Sequence, residues 1–306
     1  MIKHQHGATQ ICGQPQRIVV LGPYVLEPLL ALGVQPIGYA DHVAFHQGDY
    51  TDPRQQIPYL GGLITQPIAN VGLAGNPSIE TILKIKPDLI LGSDVVSASH
   101  YDMLSKIAPT LLLDYYDPVE SLRAIAQAVN RTEQAQRLLN QTQQQIEAAR
   151  ETFAPLAAIY PKVVSLSTSN LRDMWISRKS AGLCDSLLEE LGFKLVFPPG
   201  LNRDNSSASM PLSIEILPQL NDADSFILLG HNFNDLKCLK EMERFTDHQL
   251  AKLKQKWQEN KITQSLDASQ AGRVYFIPAY LCAGLPGAIG TELYLEELKQ
   301  QLLAPS

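Results

Sequence analysis

Arg17-Ile18-Val19-Val20-Leu21-Gly22, then Glu27-Pro28-Leu29-Leu30-Ala31-Leu32-Gly33, then Gln35-Pro36-Ile37-Gly38-Tyr39 set the fold. The first run is short, apolar and β-branched, as in a strand covered on both faces. Glu27 to Leu32 has helical spacing, and Gly33 stands where a residue after a helix C-terminus belongs. Gln35 to Tyr39 opens a second strand. The alternation continues. Helical segments near Ile79 to Ile85 and His100 to Ile107 each precede an apolar run, Asp88 to Leu91 and Thr110 to Leu113. Strand and helix in turn predict an α/β fold with a parallel, doubly wound sheet.

From Pro118 the character changes. Glu120 to Val129 reads as one helix. Thr132 to Phe153 reads as a second, with Thr132 as N-cap and Glu133 in the first turn. Its 22 residues contain no Gly or Pro and would span about 33 Å. After Pro155 and Pro161 the alternation resumes. Strands are expected at Lys162 to Leu166, Met174 to Ile176, Ser225 to Leu229 and Arg273 to Ile277. Helices are expected at Gly182 to Leu191, His248 to Trp257 and Glu292 to Leu303. The halves echo one another. Ser78-Ile79-Glu80 leading to Lys86-Pro87-Asp88-Leu89-Ile90-Leu91 recurs 135 to 136 residues later as Ser213-Ile214-Glu215 leading to Asp222-Ala223-Asp224-Ser225-Phe226-Ile227-Leu228. Leu29 to Gly33 is matched by Leu188-Glu189-Glu190-Leu191-Gly192. The order predicts two similar lobes, residues 1–117 and 155–306, joined by a helical segment, 118–154.

The chain has 306 residues, 45% hydrophobic and 18% charged, with a net charge of -6. That composition is globular, and the length suits two domains. A mildly acidic chain has no general attraction to phosphate backbones, so nucleic acid is not an expected partner. No apolar run approaches the roughly 20 residues that cross a bilayer. The opening residues lack the apolar core of a secretory signal, which fits a cytoplasmic protein or an exported one in processed form. Cys12, Cys184, Cys238 and Cys282 are far apart. Their spacing predicts isolated buried thiols, selects no disulfide and matches no zinc site. His4 and His6 read as a solvated terminus. No dinucleotide fingerprint, phosphate loop or nucleophile elbow is present. No catalytic residue, metal ligand or cofactor is assigned.

Glu80 and Glu215 hold matched positions near the starts of matched helices. Acids favour first helical turns through the macrodipole. Alternatively, one exposed carboxylate per lobe docks against basic sites on a symmetric partner, fixing register and speeding encounter.

These residues also carry a resemblance. From about His6 to Leu303 the chain resembles the periplasmic siderophore-binding proteins of iron-uptake ABC transporters, the helical-backbone type that binds ferric citrate or ferric hydroxamates. Four stretches carry it. Pro15 to Leu21 leads to Leu29 to Gly38. Val71-Gly72 and Asn76-Pro77-Ser78-Ile79-Glu80 lead to Lys86 to Leu91. Ser213-Ile214-Glu215 leads to Asp222-Ala223-Asp224. Gly272-Arg273-Val274-Tyr275-Phe276 precedes the last helix. The resemblance implies the class III periplasmic-binding-protein fold: two Rossmann-like lobes bridged by a rigid helix, with ligand in the cleft between them. It implies a monomer in the periplasm that performs no chemistry and presents a ferric siderophore to a permease dimer, which Glu80 and Glu215 engage.

Ligand residues do not carry over, so chemistry selects them. An acidic chelate suits Arg forks and the flat faces of Tyr and Trp. Open α/β sheets bind ligands beyond the carboxyl ends of strands. The candidates there are Tyr24, Ser93, Trp175, Arg178, Arg203, Asn232 and Tyr280. Core packing is the alternative for Trp175, helix packing for the tyrosines, and local ion pairs for the arginines. His231 is an iron ligand only in a haem-type pocket. Two rival functions stand: a cobalamin or haem transport protein, and a metallocluster enzyme of the same superfamily, which would need clustered cysteines.

Overall fold

The computed structural model describes all residues except 5, 178–182, 202–208, 234–243 and 304–306. The chain divides into two compact units. The first contains Met1–Gln141 and Gly284–Gly290; the second contains Thr142–Phe233, Glu243–Ala283 and Thr291–Ser306. The helical segment at 118–154 is therefore not set apart: its first part packs with the first unit and its remainder with the second.

The first unit opens with a hairpin, β1 (Ile2–His4) and β2 (Gly7–Thr9). Its main sheet uses β3 (Ile18–Leu21), β4 (Gly38–Asp41), β5 (Ala69–Leu73), β6 (Asn76–Pro77), β7 (Leu89–Ser93) and β8 (Thr110–Leu113). The order is β6-β5-β4-β3-β7-β8, and all pairs are parallel except β5 with β6. Ile18, Val19, Val20 and Leu21 are each at most 1% exposed, as a strand covered on both faces requires. The helices are α1 (Pro23–Ala31), α2 (Pro53–Gln56), α3 (Ile79–Ile85), α4 (Asp94–Ser97), α5 (Tyr101–Leu104) and α6 (Pro118–Ala128). Gly22 precedes α1 with φ 113°, a backbone state that suits glycine.

Two expectations change here. The terminus is not simply solvated. Ile2 is buried, Thr9 Oγ1 donates to Thr110 O at 3.0 Å, and the His4 and His6 rings pack near Tyr101. The helix expected from His100 to Ile107 shrinks to α5, with a 3-10 turn at Ala98–His100 before it.

The long helix, α7, runs from Thr132 to Ile159, 28 residues or about 42 Å. It passes through Pro155, where a stop was expected. Proline removes one N–H and crowds the carbonyl four residues back. The helix nonetheless continues, with Phe153 and Ala157 buried on either side of that point.

The second unit's sheet uses β9 (Lys162–Asn170), β10 (Asp173–Ser177), β11 (Lys194–Leu195), β12 (Ser209–Leu212), β13 (Ser225–Gly230) and β14 (Val274–Pro278). The order is β12-β10-β9-β13-β14, with β11 also beside β9. β9, β13 and β14 are parallel, while β10 and β12 join antiparallel, so this sheet is mixed. Its helices are α8 (Leu183–Glu190), α9 (Arg244–Glu259), α10 (Lys261–Gln264), α11 (Asp267–Gln270) and, from Thr291 on, α12 (Ala288–Leu302), whose first three residues belong to the first unit. Val164, Leu166, Phe226, Leu228 and Trp257 meet in one core. The Ser-Ile-Glu segment of this half forms a 3-10 helix, Ile214–Leu220, rather than an α-helix, and it contains Pro218.

The expectation of isolated thiols fails for two cysteines: Cys184 and Cys282 form a disulfide across 98 residues of sequence. Cys184 begins α8 and Cys282 follows β14. Their Cα atoms stand 5.0 Å apart, a proximity that sequence spacing does not encode. Cys12 is free and exposed.

Candidate functional site

In the first unit, three strand ends bring aromatic rings together. Tyr24 follows β3, His42 follows β4, and Tyr115 and Tyr116 follow β8. Tyr24 meets Tyr115 edge-on at 5.6 Å and His42 at 6.3 Å, and Tyr115 meets Tyr116 at 5.2 Å. A Cβ on Gly22 would lie 2.3 Å from Tyr24 Cζ, so glycine makes the place where this ring sits. Tyr24 is 8% exposed, and burial, then the neighbouring Tyr115 and Asp41, push its hydroxyl pKa far up. Burial likewise pushes Tyr115 up to about 12. Both hydroxyls therefore stay protonated donors at neutral pH. Tyr116 is the ring that reaches solvent, at 47% exposure.

Asp41 lies beneath this cluster at the end of β4, 2% exposed. Its Oδ1 accepts from His42 N at 2.6 Å and Val43 N at 3.4 Å. Burial outweighs those hydrogen bonds and one from Tyr39, and raises its pKa to about 6. A recess of about 360 Å³ opens on the other side, lined by residues that include Asp41, His46, Asp49, Tyr50, Asn70 and Ser78. Its polar groups largely bind one another: Asp49 Oδ1 accepts from Asn70 N at 2.9 Å, and Asn70 Nδ2 donates to Gly48 O at 2.9 Å.

The candidate residues divide sharply. Ser93 is 1% exposed and serves as the N-cap of α4, accepting from Val95 N at 3.2 Å. Asn232 is buried and paired with Gln249: its N–H donates to Gln249 Oε1 at 2.8 Å, and its carbonyl accepts from Gln249 Nε2 at 2.9 Å. Tyr280 is 4% exposed and packs edge-on against Phe245 at 5.5 Å. Tyr280 thus packs against helix α9, while the buried Tyr24 packs among rings that follow strands. Trp175 does the reverse of core packing. Met174 and Ile176 point inward at 1% exposure, and Trp175 between them points out. Arg178 and Arg203 lie outside the described residues. Within the second unit, Trp175, Phe233 and His231 are reached from β10 and the end of β13. Phe233 is 39% exposed, with its ring 5.7 Å from His231. Sequence reasoning missed Tyr116 and Phe233; both stand just past strand ends, and that position was the available signal.

Glu80 is exposed in the first turn of α3, whose cap is Ser78, accepting from Thr81 N. Glu215 is exposed too, and Ser213 Oγ donates to its carboxylate. That hydrogen bond holds the Glu215 pKa below the usual range. The three ion pairs among the described residues join Arg123 to Glu120, Arg137 to Glu133 and Lys162 to Asp222. Neither Glu80 nor Glu215 takes part in one.

No group of three or more His, Cys, Asp or Glu able to hold a metal occurs among the described residues. No helix among them is long and apolar enough to cross a membrane. Open α/β sheets bind ligands beyond the carboxyl ends of their strands, the side on which Tyr116 and Phe233 stand exposed. The chain belongs to the periplasmic binding protein family, whose model matches residues 18–281. That family is made of binding proteins rather than enzymes. The chain is 27% identical to the putative ABC transporter substrate-binding lipoprotein YhfQ of Bacillus subtilis, over 99% of this chain and 88% of that one. It is 26% identical to the Fe(3+) dicitrate-binding periplasmic protein FecB of Escherichia coli, over 95% and 86%. The crystal structure of Staphylococcus aureus SirA complexed with staphyloferrin B matches with TM-score 0.78 at 25% identity, over 99% and 98%. The expected class III periplasmic-binding-protein fold is borne out by these matches.

Proposed function

We propose that this chain is the substrate-binding component of an ABC importer, capturing a ferric siderophore of citrate or hydroxamate type and handing it to the permease. The observation that carries this reading is similarity over nearly the whole chain to a protein named for Fe(3+) dicitrate and to one solved in complex with staphyloferrin B. Exposed rings, one on the outward face of β10 and others past strand ends, give the flat apolar faces such chelates need. In the second unit, contact falls to Trp175 and Phe233, with Arg178 and Arg203 as carboxylate forks; in the first unit the exposed ring is Tyr116. The iron arrives already chelated, so the protein supplies no metal ligand and performs no chemistry.

Glu80 and Glu215 are the permease contacts. Each is an exposed carboxylate without an ion-pair partner among the described residues, free to meet a basic pocket on another protein. The protein acts as a monomer outside the cytoplasm, in the periplasm or tethered by lipid. The Cys184–Cys282 disulfide favours an oxidising compartment.

The test is titration with ferric citrate, ferric hydroxamates, ferric catecholates, haem and cobalamin, read by tryptophan quenching and by calorimetry. The expected result is one ferric chelate bound at submicromolar Kd, about -8 kcal/mol or tighter. Binding of haem or cobalamin instead, or of nothing, rejects the proposal.

A further inference from the structure

We propose that Asp173 is a positioning residue that locks the Trp175 indole into a preset face for the ligand. The inference rests on the reading of Trp175 as a ligand contact. Trp175 is one of only two tryptophans in the chain. The other, Trp257, is 2% exposed and packed in the core of the second unit. Trp175 stands on the outward face of β10, 38% exposed, where packing does little to fix its two side-chain torsions.

A chain of hydrogen bonds fixes them instead. Asp173 sits two residues earlier on the same face. Its Oδ1 accepts from Trp175 Nε1 at 2.7 Å. Its Oδ2 accepts from Ser169 Oγ at 2.6 Å, and Ser169 Oγ in turn accepts from Asn170 Nδ2 at 2.9 Å. Asn170 Oδ1 accepts from Arg172 N at 3.0 Å, which anchors the chain in the β9–β10 turn. Asp173 therefore spends one oxygen on the indole and the other on the turn. The Ser169 and Trp175 hydrogen bonds, with the nearby His231, hold its carboxyl below the usual range. It is a standing anion, and a hydrogen bond to an anion is stronger than one between neutral groups.

At an exposed position this arrangement adds little to folding. Its consequence is that an amphipathic ring waits in one orientation. A ring ordered in advance does not lose that freedom when ligand arrives. Asp173, Ser169 and Asn170 thus set affinity without touching the ligand.

The test uses the full chain as wild type, Asp173→Ala, Asp173→Asn and Trp175→Ala. Two readouts are taken: time-resolved tryptophan fluorescence anisotropy without ligand, and calorimetric titration with the chelate panel of the preceding section. Trp257 is the immobile reference. Asp173→Ala is expected to add a fast depolarising component and to weaken the tightest chelate about two- to tenfold. Asp173→Asn, which keeps a carbonyl acceptor for the indole, is expected to restore most of both. Unchanged anisotropy in Asp173→Ala overturns the inference. So does a mobile ring with unchanged Kd while Trp175→Ala weakens binding. If wild type binds a ferric chelate and Trp175→Ala binds it equally well, the inference falls and the siderophore reading stands. If wild type binds no panel member, the siderophore reading fails and the inference falls with it.

Discussion

Replacing Glu27 by Gln should remove a large pH dependence from the stability of this protein. Glu27 is fully buried on α1. Its Oε1 accepts from Ile289 N at 2.8 Å, in the first turn of α12, while Oε2 is buried without a hydrogen bond. A Cβ on Gly287 would stand 2.2 Å from Oε2, so the backbone comes as close as only glycine permits. Burial favours the neutral acid, and the N–H groups of Ile289, Gly287 and Gly290 only partly offset it. The result is a pKa raised from 4.5 to about 7. The sign follows from linkage. A carboxyl whose folded value lies above its unfolded one contributes stability that is complete below pH 4.5 and is lost as pH rises through 7. At about 1.4 kcal/mol for each pH unit between those values, the loss is about 3 kcal/mol. Gln mimics the neutral acid at every pH. Urea unfolding followed by circular dichroism, at steps from about pH 4 to 8.5, should therefore show the two proteins diverging. Glu27→Gln gains about 3 kcal/mol on wild type across that window and holds a constant gap above it. Taking the difference cancels other titrating groups, including Asp41. A gap that stays flat within about 1 kcal/mol would falsify the account of a desolvated carboxyl at this helix start.

Removing the disulfide by Cys184→Ser with Cys282→Ser, or by reduction, should cost about 2–4 kcal/mol, because the bridge spans 98 residues. An unchanged urea midpoint would argue against the bridge. Gly22→Ala combines a φ of 113° with a Tyr24 ring 2.3 Å from the new Cβ. It should lower stability by about 1–3 kcal/mol, and an unchanged Tm would count against the placement of Tyr24. Glu80→Lys with Glu215→Lys should leave the chelate Kd as in wild type and abolish transport in cells; surviving transport removes both residues from the permease interface.

Period and punctuation made most of the fold legible. Ile18 to Leu21, Leu89 to Leu91 and Ser225 to Leu229 are continuous apolar runs because both sheet faces are covered, and they are strands as expected. Proline misled at Pro155, where packing of Phe153 and Ala157 outweighs one lost hydrogen bond. The repeat misled at Ile214–Leu220, where it promised an α-helix and a 3-10 helix containing Pro218 forms. The candidate site was less legible. Position after a strand end selected Tyr24, Ser93, Asn232 and Tyr280 correctly as strand-end residues, yet all four are buried. Strand-end position fixes the neighbourhood; which way a side chain turns depends on caps and partners such as Val95 N and Gln249, which no short sequence window contains. Trp175 was the exception: core packing stood open for it, and the structure turns it outward between the buried Met174 and Ile176.

The repeat between the halves separates what holds each unit together from what it offers outside. Asp88 and Asp224 correspond, and both have a structural reason. Asp88 accepts from Gln16 N and Arg17 N, each at 2.8 Å, pinning the start of β3 to that of β7. Asp224 accepts from Lys162 N at 2.8 Å, pinning β9 to β13 in the same way. Their backbones repeat the pattern, Asp88 N donating to Arg17 O and Asp224 N to Lys162 O. Any chain building this strand pair gains from an aspartate there, whatever its function. Glu80 and Glu215 recur one residue closer, at an offset of 135, and neither pins one strand to another. The helix dipole would favour any acid in a first turn, but the second segment is a short 3-10 helix whose aligned dipole is smaller. On the reading proposed above, an exposed Glu at both places, outside every ion pair among the described residues, serves a partner, with Ser213 orienting the second of the two.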